Sequence, residues 1–217
     1  MRSNEEEPIP WPGHFHEDFG HFCLYVNNSP LIIDPGRTNY NNEDFCTSEY
    51  HNTVTVNDVS MKSKIKLFKE YNSFSNFITS SQDDENIIIQ YKTDAFKRMG
   101  NNFSFIRRLN LGYNDLKIKD IFYFNEKKSY KIKRFFHFQQ GIYLSIENEN
   151  IIIKSNDFSG QIFFSDFKKR KIKIIKGEEN ILGCQNIQYG VKVNSLTLLV
   201  EDLIKEPIEL ETKILWN

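Results

Sequence analysis

Apolar residues recur at every second position through most of this chain, and the runs are cut short by clusters of Asn, Gly, Asp and Ser. The alternation is plain in Phe22-Cys23-Leu24-Tyr25-Val26, Thr53-Val54-Thr55-Val56, Lys117 to Phe124, Tyr130 to Phe136 and Lys171-Ile172-Lys173-Ile174-Ile175. A period of two sends successive side chains to opposite faces of a strand, and no convincing segment of helical period separates the runs. Short strands with turn signals about every ten residues predict an all-β chain folded as a two-layer antiparallel β-sandwich, supersandwich-like, with little or no helix. Asn27-Asn28-Ser29 reads as a hairpin turn that lays His16 to Val26 beside Leu31 to Asp34. Asp83-Asp84-Glu85-Asn86 and Asn125-Glu126-Lys127-Lys128 read as further hairpin connections.

With 217 residues the chain can bury a core without disulfides or metal, and it reads as one domain, 13–217, behind an acidic leader, 1–12. A net charge of −1 gives no global attraction to nucleic acid or to anionic membrane. No apolar run is long enough to span a bilayer, and Met1-Arg2-Ser3-Asn4-Glu5-Glu6-Glu7 is acidic where a secretory signal starts basic, so export of the chain as written is not expected. Cys23, Cys46 and Cys184 lack metal-binding or redox spacing and read as packing residues. The lysines of Phe167-Lys168-Lys169-Arg170-Lys171-Ile172-Lys173 alternate with isoleucine, the pattern of a solvated strand face protected against edge pairing.

Chemistry-bearing residues crowd into the first quarter. His14 and His16 are two apart and share a strand face, Asp34 ends an apolar run before Pro35-Gly36, and His51 opens the run that continues to Val56. Two imidazoles and a carboxylate suit Zn²⁺, while each residue has an ordinary alternative as a hydrogen-bonded or turn residue. By the same parity His21 points away from His14 and His16 and is expected to have no function, and His137 reads as a core or interface residue.

Gly13-His14-x-His16-x-Asp18, Phe22-x-Leu24-Tyr25, Asp34-Pro35-Gly36 and Phe45-x-x-Ser48-x-x-His51-Asn52-Thr53-Val54 together resemble the successive signatures of the C-terminal β-sandwich domain of the heparinase II/III-like family. Weaker echoes follow at Arg107 or Arg108, Asp120, Phe136-His137-Phe138 and Tyr189-Gly190. The resemblance implies a polysaccharide lyase that cleaves uronic-acid-containing polysaccharide by β-elimination: the uronate carboxylate is neutralised, a base takes the C5 proton, and an acid protonates the departing oxygen. It implies His14 as the catalytic histidine facing the cleft, His16, Asp34 and His51 as ligands of a structural zinc, and Asn52 and Arg37 as substrate-binding residues at the same rim.

In that family an α/α-toroid domain precedes the sandwich and supplies the tyrosine acid/base and most of the sugar cleft. Nothing in this sequence could form it, and Tyr25, Tyr40 and Tyr50 sit within sandwich segments. The resemblance therefore implies two partners, an acidic polysaccharide and a toroid on the same or a separate polypeptide, and little turnover by this chain alone. A different reading is a non-catalytic carbohydrate-binding or structural sandwich that stacks sugars on Trp11, Tyr40 and Tyr50, in surface-polysaccharide metabolism.

Overall fold

The structure is a computed structural model that describes residues 16–36, 46–61, 76–83, 85–100, 102–177, 181–188 and 191–217. Two large antiparallel sheets face one another, as the period-two pattern requires. The six-stranded sheet contains β1 (Leu24–Val26), β2 (Ser29–Ile32), β3 (Val54–Val56), β8 (Tyr130–Phe138), β12 (Lys171–Lys176) and β15 (Leu196–Ile204). Its order is β1-β2-β8-β15-β12, with β3 also on β8. The eight-stranded sheet runs β4 (Asn76–Gln82), β5 (Ile87–Thr93), β6 (Ser104–Leu111), β7 (Asp115–Tyr123), β16 (Ile208–Trp216), β11 (Ser159–Phe164), β10 (Asn150–Lys154) and β9 (Tyr143–Glu147). A small ribbon of β13 (Cys184–Gln188) and β14 (Val191–Asn194) completes the described strands. Helical structure among the described residues is limited to short 3-10 turns, and no helix there is long and apolar enough to cross a membrane.

The hairpin at Asn27-Asn28 forms as expected. Both residues take positive φ, 50° and 64°, the conformation a two-residue hairpin turn with the strands' own twist demands, and Val26 pairs with Ser29. The connection expected at Asn125 to Lys128 is different. It does not close a hairpin but carries the chain from β7 in one sheet to β8 in the other. Apolar anchors at both of its ends explain this: Phe124 and Tyr130 are buried and pack on Phe103 with ring centroids 5.6 and 4.8 Å away, so the connection spans the end of the sandwich. Phe167–Lys169 forms a 3-10 turn rather than strand, and the lysines of β12 then line a sheet edge, where their charge opposes pairing with another chain.

The core is divided by a polar layer. On one side pack Leu24, Ile32, Ile118, Phe136, Phe138, Ile151, Leu198 and Ile214, and on the other Val54, Phe103, Phe105, Phe122, Tyr130, Ile132, Ile204 and Leu210. Between them each long strand contributes one buried polar residue at an inward position: Arg107 on β6, Asp120 on β7, Arg134 on β8, Asp202 on β15 and Thr212 on β16. Arg107 and Asp120 form a two-pronged ion pair, Nε to Oδ1 at 2.7 Å and Nη2 to Oδ2 at 3.0 Å, with both side chains fully buried. Arg134 donates to Thr212 Oγ1 at 2.8 Å and to Asp202 Oδ2 at 3.2 Å.

Candidate functional site: a histidine rim on the six-stranded sheet

β2 and β3 lie one after the other along the same edge of β8, and the site forms where one gives way to the other. Ile33 N–H donates to His137 O, and Phe135 N–H donates to Thr53 O. The His137 N–H between these rungs is taken by Asn52 Oδ1 at 2.7 Å, while Asn52 Nδ2 donates to Phe22 O and Ile33 O, each at 2.8 Å. An amide side chain thus replaces a peptide in the ladder and fixes the backbone of its neighbour His51.

The loop before β1 is tied down as tightly. Glu17 N–H donates to Cys46 O, Ser48 Oγ to Glu17 O, Thr53 Oγ1 to Phe19 O and Arg107 Nη1 to both Gly20 O and Asn52 O. The buried Arg107–Asp120 pair therefore reaches from the core to the backbone on both sides of the site. A turn at Asp18 to His21, with Gly20 at φ 77°, swings the His21 ring inward, where its Nδ1 accepts the Asn52 N–H at 2.9 Å.

Asp34 sits at the strand end as expected, its side chain 41% exposed. Oδ1 accepts the Gly36 N–H, closing the Asp34-Pro35-Gly36 turn, and Oδ2 faces His51 Nδ1 at 3.3 Å and His21 Nε2 at 3.8 Å. On the other side of the His51 ring, Nε2 lies 3.2 Å from His16 Nδ1. His51 is buried, and its Nδ1 makes no directed hydrogen bond despite its closeness to Asp34. Burial alone pushes the Asp34 carboxyl up, but the His51 imidazole, the Gly36 N–H and His21 hold it well below the usual carboxylate range. Burial lowers His21 to about 4 against the pull of Asp34.

Of the residues expected to bind metal, Asp34 and His51 share one site, and His16 touches His51. His21 corrects the parity argument: residues 16–23 form a turn-containing loop, strand geometry begins only at Leu24, and the imidazole joins Asp34 and His51 in a cluster whose ligand atoms lie within 4.8 Å of one another. Since a backbone N–H can only donate, His21 Nδ1 is an acceptor and the proton of the neutral ring sits on Nε2, 3.4 Å from Cys23 Sγ and 3.8 Å from Asp34 Oδ2. Asn52 also corrects its expectation. With no exposed surface and every polar atom of its side chain bonded within the chain, it positions the site rather than touching substrate. Tyr50 is buried and cannot stack on a sugar. His137 is buried as expected, Nε2 lying 3.0 Å from Glu49 O and Nδ1 2.9 Å from Thr197 Oγ1. His14, Arg37, Trp11 and Tyr40 lie outside the described residues.

Residues 3–183 match the family model described as heparinase II/III-like, C-terminal. No curated protein sequence matches the chain. Among solved structures, the heparan sulfate lyase HepC from Pedobacter heparinus superposes with a TM-score of 0.73 at 10% identity, over 94% of this chain and 31% of that one. The heparinase III BT4657 gene product gives a TM-score of 0.72 at 16% identity, over 94% and 31%. A further heparinase III gives 0.69 at 13% identity, over 92% and 30%. These likenesses establish a shared fold, and the chain spans just under a third of the length of each of these structures. By its family match over most of its length, the chain belongs to the heparinase II/III-like C-terminal domain family.

Proposed function

We propose that the chain is the sandwich part of a polysaccharide lyase that cleaves a uronic-acid-containing, acidic polysaccharide by β-elimination, and that its histidine rim forms one wall of the cleft. The observation that carries this reading is the convergence of His16, His21, Asp34 and His51 at one edge of the sheet in a chain of this family. A non-catalytic sugar-binding role has less support, since Tyr50, an aromatic residue that such a role would use, is buried.

The rim suits a zinc ion. Asp34 Oδ2 and His51 Nδ1 are 3.3 Å apart, close to the spacing of two donors on one tetrahedral ion with bonds of about 2.0–2.1 Å. The buried His51 Nδ1, which has no hydrogen-bond partner, and the ionised Asp34 are donors of the right chemistry. Asp34 and His51 would hold the ion, and His16, which lies at the other nitrogen of the His51 ring, would join them by swinging round with its loop; the ion would then lock the loop before β1 onto the sheet and leave proton transfer to the side chains. His21 turns its protonated Nε2 toward the cluster, 3.8 Å from Asp34 Oδ2, without a hydrogen bond to it. His14, just before the described loop, and Arg37, just after the Asp34-Pro35-Gly36 turn, are the residues assigned here to the uronate: the imidazole moves a proton or neutralises charge, and the guanidinium holds the carboxylate.

The acid/base tyrosine and the rest of the cleft belong, on this reading, to an α/α-toroid domain. At the β4–β5 end of the eight-stranded sheet the inward parity carries Ile78, Ile87, Ile89 and Tyr91 beside the polar Asn76, Ser80 and Gln82. Ile78 of β4 pairs with Tyr91 of β5, and Tyr91 pairs with the buried Arg107. Ile78 is 54% exposed, and Tyr91 packs edge-on against Phe19, in the loop that carries His16 and His21, at 5.6 Å. A domain seated on this surface would stand beside the rim.

The test is an assay for the unsaturated uronate absorbance, using heparan sulfate and alginate as probes, on this chain with and without a heparinase-type toroid domain supplied in cis or in trans. Product formed only with the toroid, and lost in H14A, is the expected result. Activity that survives H14A, or no product from the two-domain protein with any uronate polymer, would remove the proposal.

A further inference from the structure

The buried polar layer is not electrically balanced. Arg107 is matched one to one by Asp120, but Arg134 and Arg170 share a single carboxylate, Asp202: Arg134 Nη2 is 3.2 Å from Oδ2 and Arg170 Nε is 3.5 Å from Oδ1. The side chains of Arg134, Arg170 and Asp202 are 0%, 3% and 9% exposed. Their other hydrogen-bond partners are neutral hydroxyls, Thr212 Oγ1 for Arg134 Nη1 and Ser165 Oγ for Arg170 Nη2. Asp166, which also acts on Arg170, is 65% exposed and sits in solvent.

Two buried nitrogens, Arg134 Nε and Arg170 Nη1, have no hydrogen-bond partner, and Arg170 Nε has only its long contact to Asp202. Both guanidinium carbons lie over the Phe164 ring, 5.5 and 5.9 Å from its centroid, so the ring supplies an apolar wall to the same place. Guanidinium holds its charge even when desolvated, and a buried donor left unpaired is destabilising. Burial pushes Arg134 down to about 10, which still leaves it charged at neutral pH. The site needs one negative charge and an acceptor for N–H groups, and the side chains around it leave almost no exposed surface.

We propose that Arg134 and Arg170, against Phe164, form an internal binding site for a small inorganic anion of halide size, which neutralises the second guanidinium and accepts their unpaired N–H groups. The site joins β8 and β15 of one sheet to β11 of the other, so the anion would act as a structural link between the layers. It stands independently of the histidine rim and of lyase activity.

The probe is bromide. Thermal unfolding of the chain in sodium bromide should rise saturably above that in sodium gluconate at equal ionic strength, by about 2–4 °C for each kcal/mol of binding. Crystals soaked in bromide should show an anomalous peak within hydrogen-bond reach of Arg134 and Arg170. In R170M, which leaves Arg134 and Asp202 matched, the bromide increment should vanish. Equal unfolding midpoints in the two salts, an increment that persists in R170M, or a peak without a solution effect, which marks an adventitious ion only, would each overturn the proposal. Should R170M fail to fold, the wild-type salt comparison and the anomalous map decide together.

Discussion

Asn52 Oδ1 accepts the backbone N–H of His137 at 2.7 Å, so a side-chain amide makes the rung of the β8 ladder that falls between β2 and β3. The same amide donates to Phe22 O and Ile33 O, and all three contacts are buried. N52A would leave one N–H and two carbonyls unpaired, and we expect it to cost roughly 2–4 kcal/mol. Equilibrium denaturation in urea measures this directly. N52D, which can accept but not donate, should be about as damaging.

Zinc should stabilise the chain, by about 2.7 kcal/mol when free metal exceeds its dissociation constant a hundredfold. H51A and D34A should abolish the increment and H16A should weaken it. H21Q should keep most of it, because His21 presents a protonated nitrogen to the cluster and glutamine can still donate there. Calorimetric zinc titration of the four variants separates these outcomes, and loss of binding in H21Q with retention in H16A would exchange their roles.

Asp120 and Arg107 bind each other twice with no exposed surface. D120N strands a buried guanidinium, and we expect a loss of about 3–5 kcal/mol. Apolar replacement of both partners, R107M with D120L, should cost less than the sum of the single changes, though the Gly20 and Asn52 carbonyls then lose their donor. A double-mutant cycle in guanidinium chloride gives the coupling.

His137 makes stability depend on pH. Burial lowers it from 6.5 to about 3, so between these values the unfolded chain binds a proton that the folded chain refuses. The stability it contributes is complete above pH 6.5 and declines as pH falls toward 3. Denaturation midpoints measured from pH 7.5 to 4 should fall steadily, and H137Q should flatten that slope even if it lowers the plateau. His21, lowered to about 4, adds in the same direction.

Strand periodicity made the layered fold legible, and the Asn27-Asn28 turn announced its own hairpin because asparagine accepts positive φ. The change of sheet at Asn125 to Lys128 was not legible. A short polar connection looks the same whether it closes a hairpin or spans two layers, and the buried Phe124 and Tyr130 that decide it are ordinary strand residues in sequence. Asp34 and His51 were readable as neighbours from the hairpin and the strand start. His21 was misread because parity was applied to a loop, and only Gly20, a residue suited to positive φ, marked the turn. The polar layer did leave a signal: Asp120 has the same parity as Ile118 and Phe122, Arg134 as Ile132 and Phe136, and Asp202 as Val200 and Ile204. A charge on an apolar parity is a buried charge, and period two alone can find it.

The two ends of the strand arrays are defended unequally. β12 closes one sheet with lysines, whereas β4, Asn76 to Gln82, ends the other without a charged residue and, from Phe77 on, is exposed along its whole length. Among the described residues nothing pairs with its outer side. Purified by itself, the chain carries a ready template for intermolecular strand addition there, so self-association at high concentration should begin at β4 and should be suppressed by a lysine at Ser80.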